Sequence, residues 1–350
     1  MFALKHVAND GTEHLFHVDR VQPLGFEAFR GCIHGGRRSH PTVMWGTRRD
    51  QDGSSIGERV RVSFPLEFNQ RIPFYGLVEG GVVPPMYLPP RCVTVLDRNV
   101  GTALSRAPSS KHPEARGEAW VFEFLNSSAF RLNPAMGAFE GAKGRTPCFE
   151  EFRDEVRTTE SAIRARLPKA QVVEFTDDAL SRVHSWRTSF DARAASEMGF
   201  LQAVAPLLRD PTAASRLQSV EGAVLGEARA RRLGRCFVVL TALAVLYESP
   251  GGADGGAARA VLKPSDPYTE AAAYNALADL RQLELIAASR GMPEPASLLT
   301  ADQRLALLWC GFGVQGVQVG ANETRFSLSP DPALFPRLPT ERRGILFGAN

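Results

Sequence analysis

Four acidic residues stand where a carboxylate could do chemistry. Asp97 closes a short β-branched run, Cys92-Val93-Thr94-Val95-Leu96, and is followed by Arg98-Asn99. Such a run fits a buried parallel strand, and a carboxylate just past its end lies where open α/β sheets place their sites. Asp and Asn are also ordinary turn residues. Glu140 follows 43 residues later, beyond Asn133-Pro134. Asn suits an N-cap and Pro the first helical position, which puts Glu140 two turns into a short helix. Asp279 sits in Tyr274-Asn275-Ala276-Leu277-Ala278-Asp279-Leu280, in mid-helix among Ala and Leu. A carboxylate has poor propensity there. Asp302 ends Leu298-Leu299-Thr300-Ala301-Asp302, a second apolar run followed by a helical one.

The surrounding elements must position these groups. Residues 1–90 are rich in Gly, Pro and His. There Val60, Val62, Phe64, Leu66 and Phe68 alternate with Arg61, Ser63, Pro65 and Glu67. Period two predicts a half-buried strand, and Pro65 confines it to an edge or a bulge. Gly80-Gly81 and the pairs Pro84-Pro85 and Pro89-Pro90 punctuate the chain, so a boundary is expected near residue 90. From Phe149 to Tyr247 the patterning is mainly helical, with Cys236 to Tyr247 apolar enough for a buried helix. Gly251–Gly256 reads as a loop. A long helix is expected from about Tyr268 to Ser289, stopped by Gly291 and Pro293. Thr324 to Leu328 alternates once more.

Composition narrows the choices. The chain has 350 residues, 44% of them hydrophobic, which suffices for a core and predicts two domains or one domain with an insertion. The formal charge is only +3, so any nucleic-acid surface must be local. The densest basic run is Arg229-Ala230-Arg231-Arg232 with Arg235. No apolar run reaches the ~18 residues of a membrane span. The first residues lack the pattern of a signal peptide. Five widely spaced cysteines without a CxxC suggest reduced thiols. The expected location is the cytoplasm, with no membrane partner. His14, His17, Cys32 and His34 do not follow paired zinc spacing. No P-loop signature occurs, and Cys148 has no evident histidine partner for nucleophilic chemistry.

In order and local context, the chain resembles the PIN domain family of metal-dependent nucleases. The matching pieces are Val93-Thr94-Val95-Leu96-Asp97-Arg98-Asn99, Glu140, the helix carrying Asp279, and Leu299-Thr300-Ala301-Asp302. The resemblance covers roughly residues 91–145 and 265–312. It implies an α/β fold in which helices flank a PIN-like parallel sheet. A small β-rich region would occupy residues 1–90, the nuclease domain 91–312, and a C-terminal extension 313–350. Glu140 and Asp279 stand 139 positions apart, more than a compact PIN domain uses, so a helical insertion is expected over about 149–250.

The resemblance further implies that Asp97, Glu140, Asp279 and Asp302 hold Mg2+ or Mn2+. Both are hard cations that prefer oxygen ligands. Glu248 and Glu197 are rivals for the third position. Asn99 and Thr300 would orient the ligands by hydrogen bonds. Lys143, Arg145, Arg281 and Arg304 lie near the ligands in sequence and could meet phosphates. The implied activity is endonucleolytic hydrolysis, of RNA more than DNA. A toxin or defence role, an antitoxin or other regulatory protein partner, and a homo-oligomer are compatible by analogy. The alternative is a catalytically inactive PIN-like scaffold that binds nucleic acid or protein.

Overall fold

A computed structural model describes the chain apart from residues 1, 8–12, 35–38, 50–54, 68–71, 90–91, 107–112, 141–143, 189–190, 235, 250–255, 291–293, 320–323 and 348–350. In chain order its elements begin with β1 (Phe2–Val7), β2 (Glu13–Val21), α1 (Phe26–Ile33), β3 (Ser39–Arg49) and β4 (Ser55–Glu67). Next come β5 (Tyr75–Val78), β6 (Gly81–Val83), β7 (Val93–Leu96), α2 (Arg98–Ser105), α3 (Pro113–Leu125) and β8 (Arg131–Asn133). A helical stretch holds α4 (Phe149–Arg166), β9 (Gln171–Val172), α5 (Asp177–Thr188), α6 (Asp191–Leu208), α7 (Leu217–Ala230), α8 (Phe237–Tyr247) and α9 (Ala257–Leu262). Then follow α10 (Glu270–Ser289), β10 (Ala296–Thr300), α11 (Gln303–Phe312), β11 (Val314–Val319), β12 (Thr324–Leu328) and α12 (Thr340–Phe347).

The central sheet has six strands in the order β6-β5-β10-β7-β8-β9. Pairs β10–β7, β7–β8 and β8–β9 are parallel, and the β5–β6 hairpin adds antiparallel to β10. This is a mixed α/β architecture with a mostly parallel sheet. The chain steps outward from β7 to β8 to β9, then returns to lay β10 on the other side of β7. Strand direction of travel therefore reverses between β7 and β10, and such a switch point opens a crevice at the strands' carboxyl ends.

Alternating side chains bury both faces of this sheet. Val95 and Leu298 point into a core shared with α6, α8, α10 and α11. Their neighbours Leu96 and Leu299 point the other way, into a core with Val100, Leu104, Val121 and Ile163 from α2, α3 and α4. Helix α8 is buried along its whole length, as its all-round apolar sequence requires. Among the described residues no helix is long and apolar enough to cross a membrane.

Strands β1 to β4 form a separate antiparallel sheet in sequential order. In β4, Val60, Val62 and Phe64 are half-buried while Arg61, Ser63 and Pro65 are exposed, and β4 lies at the sheet edge, where proline is tolerated. Residues 75–83, which the sequence groups with the N-terminal region, hydrogen-bond instead into the central sheet. The turn between them carries Gly80 and Gly81 at φ +85° and +149°, where glycine is favoured. Within the expected insertion, β9 also joins the central sheet, and the helices that follow it there are α5 to α8. The run Gly311-Phe312-Gly313-Val314-Gln315-Gly316 has G-x-G-x-x-G spacing, but it leaves helix α11 for strand β11. That order is opposite to a dinucleotide-binding turn.

Candidate functional site

The site forms where β7 and β10 end side by side. Leu96 pairs with Leu299, and the Asp97 N–H donates to the Leu299 carbonyl at 3.0 Å. Asp97 occupies the N-cap position of α2, yet its carboxylate makes no cap. It turns instead toward β10 and α10. Oδ2 accepts the Thr300 hydroxyl, and Oδ1 accepts Gln282 Nε2 at 3.2 Å. Asp97 is 4% exposed and Thr300 fully buried. Thr300 Oγ1 also accepts the Asp302 N–H at 2.9 Å, and Asn99 Oδ1 accepts the Ala301 N–H at 3.1 Å. Asn99 and Thr300 thus tie the two strand-end turns together. Asp302 caps α11, its Oδ1 accepting from Arg304 N at 2.7 Å and Leu305 N at 3.0 Å.

Glu140 reaches the same place by a different local structure from the one expected. It ends a 3-10 turn, Gly137–Glu140, and does not ride two turns into an α-helix. Asn133 Oδ1 does accept the Ala135 N–H at 2.9 Å. However, Ala135, Gly137, Ala138 and Phe139 are all buried, so the segment packs on every side and has no helical stripe. Gly137 is decisive for the approach. A Cβ there would lie 2.8 Å from the Leu96 carbonyl oxygen and 3.0 Å from Arg98 N, so only glycine lets this turn rest on the Asp97 turn. Tyr274 of α10 pins the turn by donating to the Phe139 carbonyl at 2.5 Å. The Glu140 carboxylate accepts from Arg98 N at 3.5 Å and from Gln282 Nε2.

Helix α10 supplies two residues to the site. At 100° per residue, Asp279 and Gln282 share one face, as i and i+3. Gln282 is 3% exposed. Sequence reasoning missed it, and its sequence signal is a polar side chain three positions after Asp279 in an apolar helix. Lys263 was missed as well. It ends α9 in the left-handed conformation at φ +48°, and its ammonium bears on Asp279.

The electrostatics show a shared environment. Burial, then the hydrogen bond and charge of Asp97, then the charge of Asp279, push the Glu140 carboxyl up to about 10, against the pull of the Arg98 N–H. Burial pushes Asp279 up to about 8, helped by the charges of Asp97 and Asp302 and opposed by Lys263. Burial, with the charge of Asp302, pushes the Tyr75 phenol up to about 12. Glu140 therefore senses Asp97 and Asp279, and Asp279 senses Asp97 and Asp302, as like charges drawn together must.

The remaining candidates lie elsewhere or are occupied. Arg281 projects from the opposite face of α10 and pairs with Glu284 and Glu197. Arg193 completes this network, 2.9 Å from Glu197 and 2.8 Å from Glu284. Arg281 is thus a structural cation and not a phosphate contact, and Glu197 is not a site ligand. Glu197 is fully buried between two arginines. Glu197→Ala should leave two arginines sharing the single carboxylate of Glu284 and destabilise the protein by about 3–5 kcal/mol. Urea unfolding measures this, and a loss below about 1 kcal/mol would contradict the network's role. Glu248 caps α9, accepting from Arg259 N at 3.1 Å. Burial, moderated by that N–H, pushes Glu248 up to about 7. Arg145 is exposed and pairs with Glu151 at 2.8 Å. The Arg304 guanidinium lies 3.4 Å from His34 Nε2, and its charge bears on Glu248. Lys143 lies outside the described residues. Of the basic run, Arg231 pairs with Glu227 at 2.6 Å, and Arg235 is outside the described residues.

Among the described residues, no three His, Cys, Asp or Glu side chains stand at the spacing of direct ligands to one ion. Asp97 and Glu140 are within hydrogen-bond reach of each other. Mg2+ commonly takes one or two carboxylates and keeps waters for its other positions. A pair of acids with two more nearby fits that habit. The chain matches no protein-family model, and no curated protein or solved structure is significantly similar to it.

Proposed function

We propose that this chain is a divalent-metal-dependent endonuclease of the PIN-like type, hydrolysing phosphodiester bonds, in RNA more than DNA. The supporting observation is the gathering of Asp97, Glu140, Asp279 and Asp302 around the carboxyl ends of two adjacent parallel strands, where burial and the neighbouring acids raise the carboxyls of Glu140 and Asp279. Such a cluster is costly unless a cation joins it.

Asp97 and Glu140 would hold Mg2+ or Mn2+ directly, and Asp279 and Asp302 would orient its waters. Bound there, the ion supplies charge neutralisation and activation of water for attack on a phosphate. Thr300 holds Asp97 in its rotamer, and Asn99 fixes the turn of Asp302. The positive charge of Lys263 opposes the rise of the Asp279 carboxyl, and a phosphate oxygen could meet that ammonium. A cytoplasmic toxin or defence role, regulated by a protein partner, is part of the same proposal.

The test is cleavage of labelled RNA and single-stranded DNA with Mn2+ or with EDTA. Wild type should cleave only with the ion, and Asp97→Asn should lose about 10²–10³-fold in rate. Metal-independent cleavage, or an unchanged Asp97→Asn rate, removes the proposal. Nucleic-acid binding without cleavage would favour an inactive scaffold.

A further inference from the structure

The Gln282 amide has one satisfied end and one unsatisfied end. Nε2 donates to Asp97 Oδ1 at 3.2 Å and to Glu140 Oε1. Oε1 is buried and has no hydrogen-bond partner among the described residues. A buried carbonyl oxygen without a donor is costly, and native side chains rarely leave one without a reason. The nitrogen stands where two carboxylate oxygens converge. Its two N–H groups supply partial positive charge at the point where a cation would supply full charge.

We infer that Gln282 is a ligand of the cation site, with Oε1 as a neutral oxygen donor beside Asp97 and Glu140. This inference rests on the proposed cation binding. The terminal torsion of a glutamine is soft and roughly two-fold. Turning it by about half a revolution exchanges Nε2 and Oε1 without moving the helix. With no cation, that rotamer would aim three oxygens at one another. With a cation between them, all three become ligands of the type Mg2+ and Mn2+ prefer. The same amide would then serve both states, first as a donor to the acid pair and then as a ligand to the ion. The backbone is braced for this. Arg281 and Glu284, on the far side of α10, are locked to Glu197 and Arg193.

The experiment is calorimetric titration of Mn2+ alone into the full-length, metal-free protein, comparing wild type, Gln282→Met, Gln282→Leu and Asp97→Asn. Met keeps the length of the side chain and removes both its donor and its acceptor. A ligand role predicts Mn2+ affinity reduced by about 10–100-fold in Gln282→Met. It also predicts more exchangeable water on the bound ion, read by water-proton relaxation. A role as donor only predicts the opposite sign, because removing the N–H groups leaves the acids less compensated before the ion arrives. Unchanged or tighter Mn2+ binding therefore overturns the inference. Should Gln282→Met fail to fold, as judged by far-UV circular dichroism, Gln282→Leu is read by the same criterion. Wild-type protein that binds no Mn2+, or binds it as well after Asp97→Asn, overturns the cation reading and this inference with it. Binding lost in Asp97→Asn but kept in Gln282→Met overturns this inference alone.

Discussion

Asp279→Asn is expected to raise the melting temperature of the metal-free protein and to slow metal-dependent cleavage. Asp279 sits within α10, and no hydrogen bond holds its carboxylate among the described residues. Burial and the charges of Asp97 and Asp302 move its carboxyl from 3.8 up to about 8. Between those values the folded chain keeps a proton that the unfolded chain has released. Folding is favoured most below pH 3.8, and that advantage drains away as the pH climbs through about 8. Asparagine carries no charge at any pH. The variant should therefore match wild type near pH 4 and melt about 2–4 °C higher near pH 9. Cleavage should fall by about 10–100-fold. Scanning calorimetry across pH, paired with the RNA assay, reads both. If Asp279 were only a packing residue, its replacement would lower the melting temperature and leave cleavage intact. A residue that costs stability and supports activity has the signature of a functional site.

The second large effect is the response to metal. Mg2+ or Mn2+ added to protein stripped with EDTA is expected to raise its melting temperature, and to do so more at pH 8 than at pH 6. The ion can be held only by deprotonated carboxylates. Glu140, pushed up to about 10, and Asp279, pushed up to about 8, both keep protons at pH 6 in the metal-free fold. Each proton displaced steepens the dependence of apparent affinity by about tenfold per pH unit. At free metal one hundred times Kd the stabilisation is about 2.7 kcal/mol. Calorimetry in buffers of different ionisation enthalpy counts the protons released. A melting temperature indifferent to metal, or a binding heat indifferent to buffer, would sink the cation site.

Part of this site is legible in the sequence, and the reasons differ by residue. Asp97 and Asp302 each follow a short apolar run, and strand-end carboxylates stand out because a buried parallel strand has no other charge. Helix α10 was legible from its apolar stripe and its Gly-Pro stop. Glu140 was legible as a residue, but its turn was not, because Asn-Pro promises a helix that the buried Gly137 cuts short. Gln282 carries no mark of chemistry until the fold sets it between two acids. Arg281 shows the opposite error: it neighbours Gln282 in sequence, but one residue of helix turns it away from the site. The β5–β6 hairpin was hidden by Gly-Gly and Pro-Pro punctuation, which marks turns without saying which sheet the flanking strands join. Strand β9 is two residues long and has no pattern to read.

Helix α10 therefore has two working sides. Asp279 and Gln282 look into the acids, while Arg281 and Glu284 grip α6 across a buried ionic seam. A shift of either grip is delivered as a tilt of the other side, since a regular helix moves as a rod. Variation along α6 should thus alter the proposed cation site from a distance, and a mutational survey confined to the acids and Gln282 would undercount the positions that govern it.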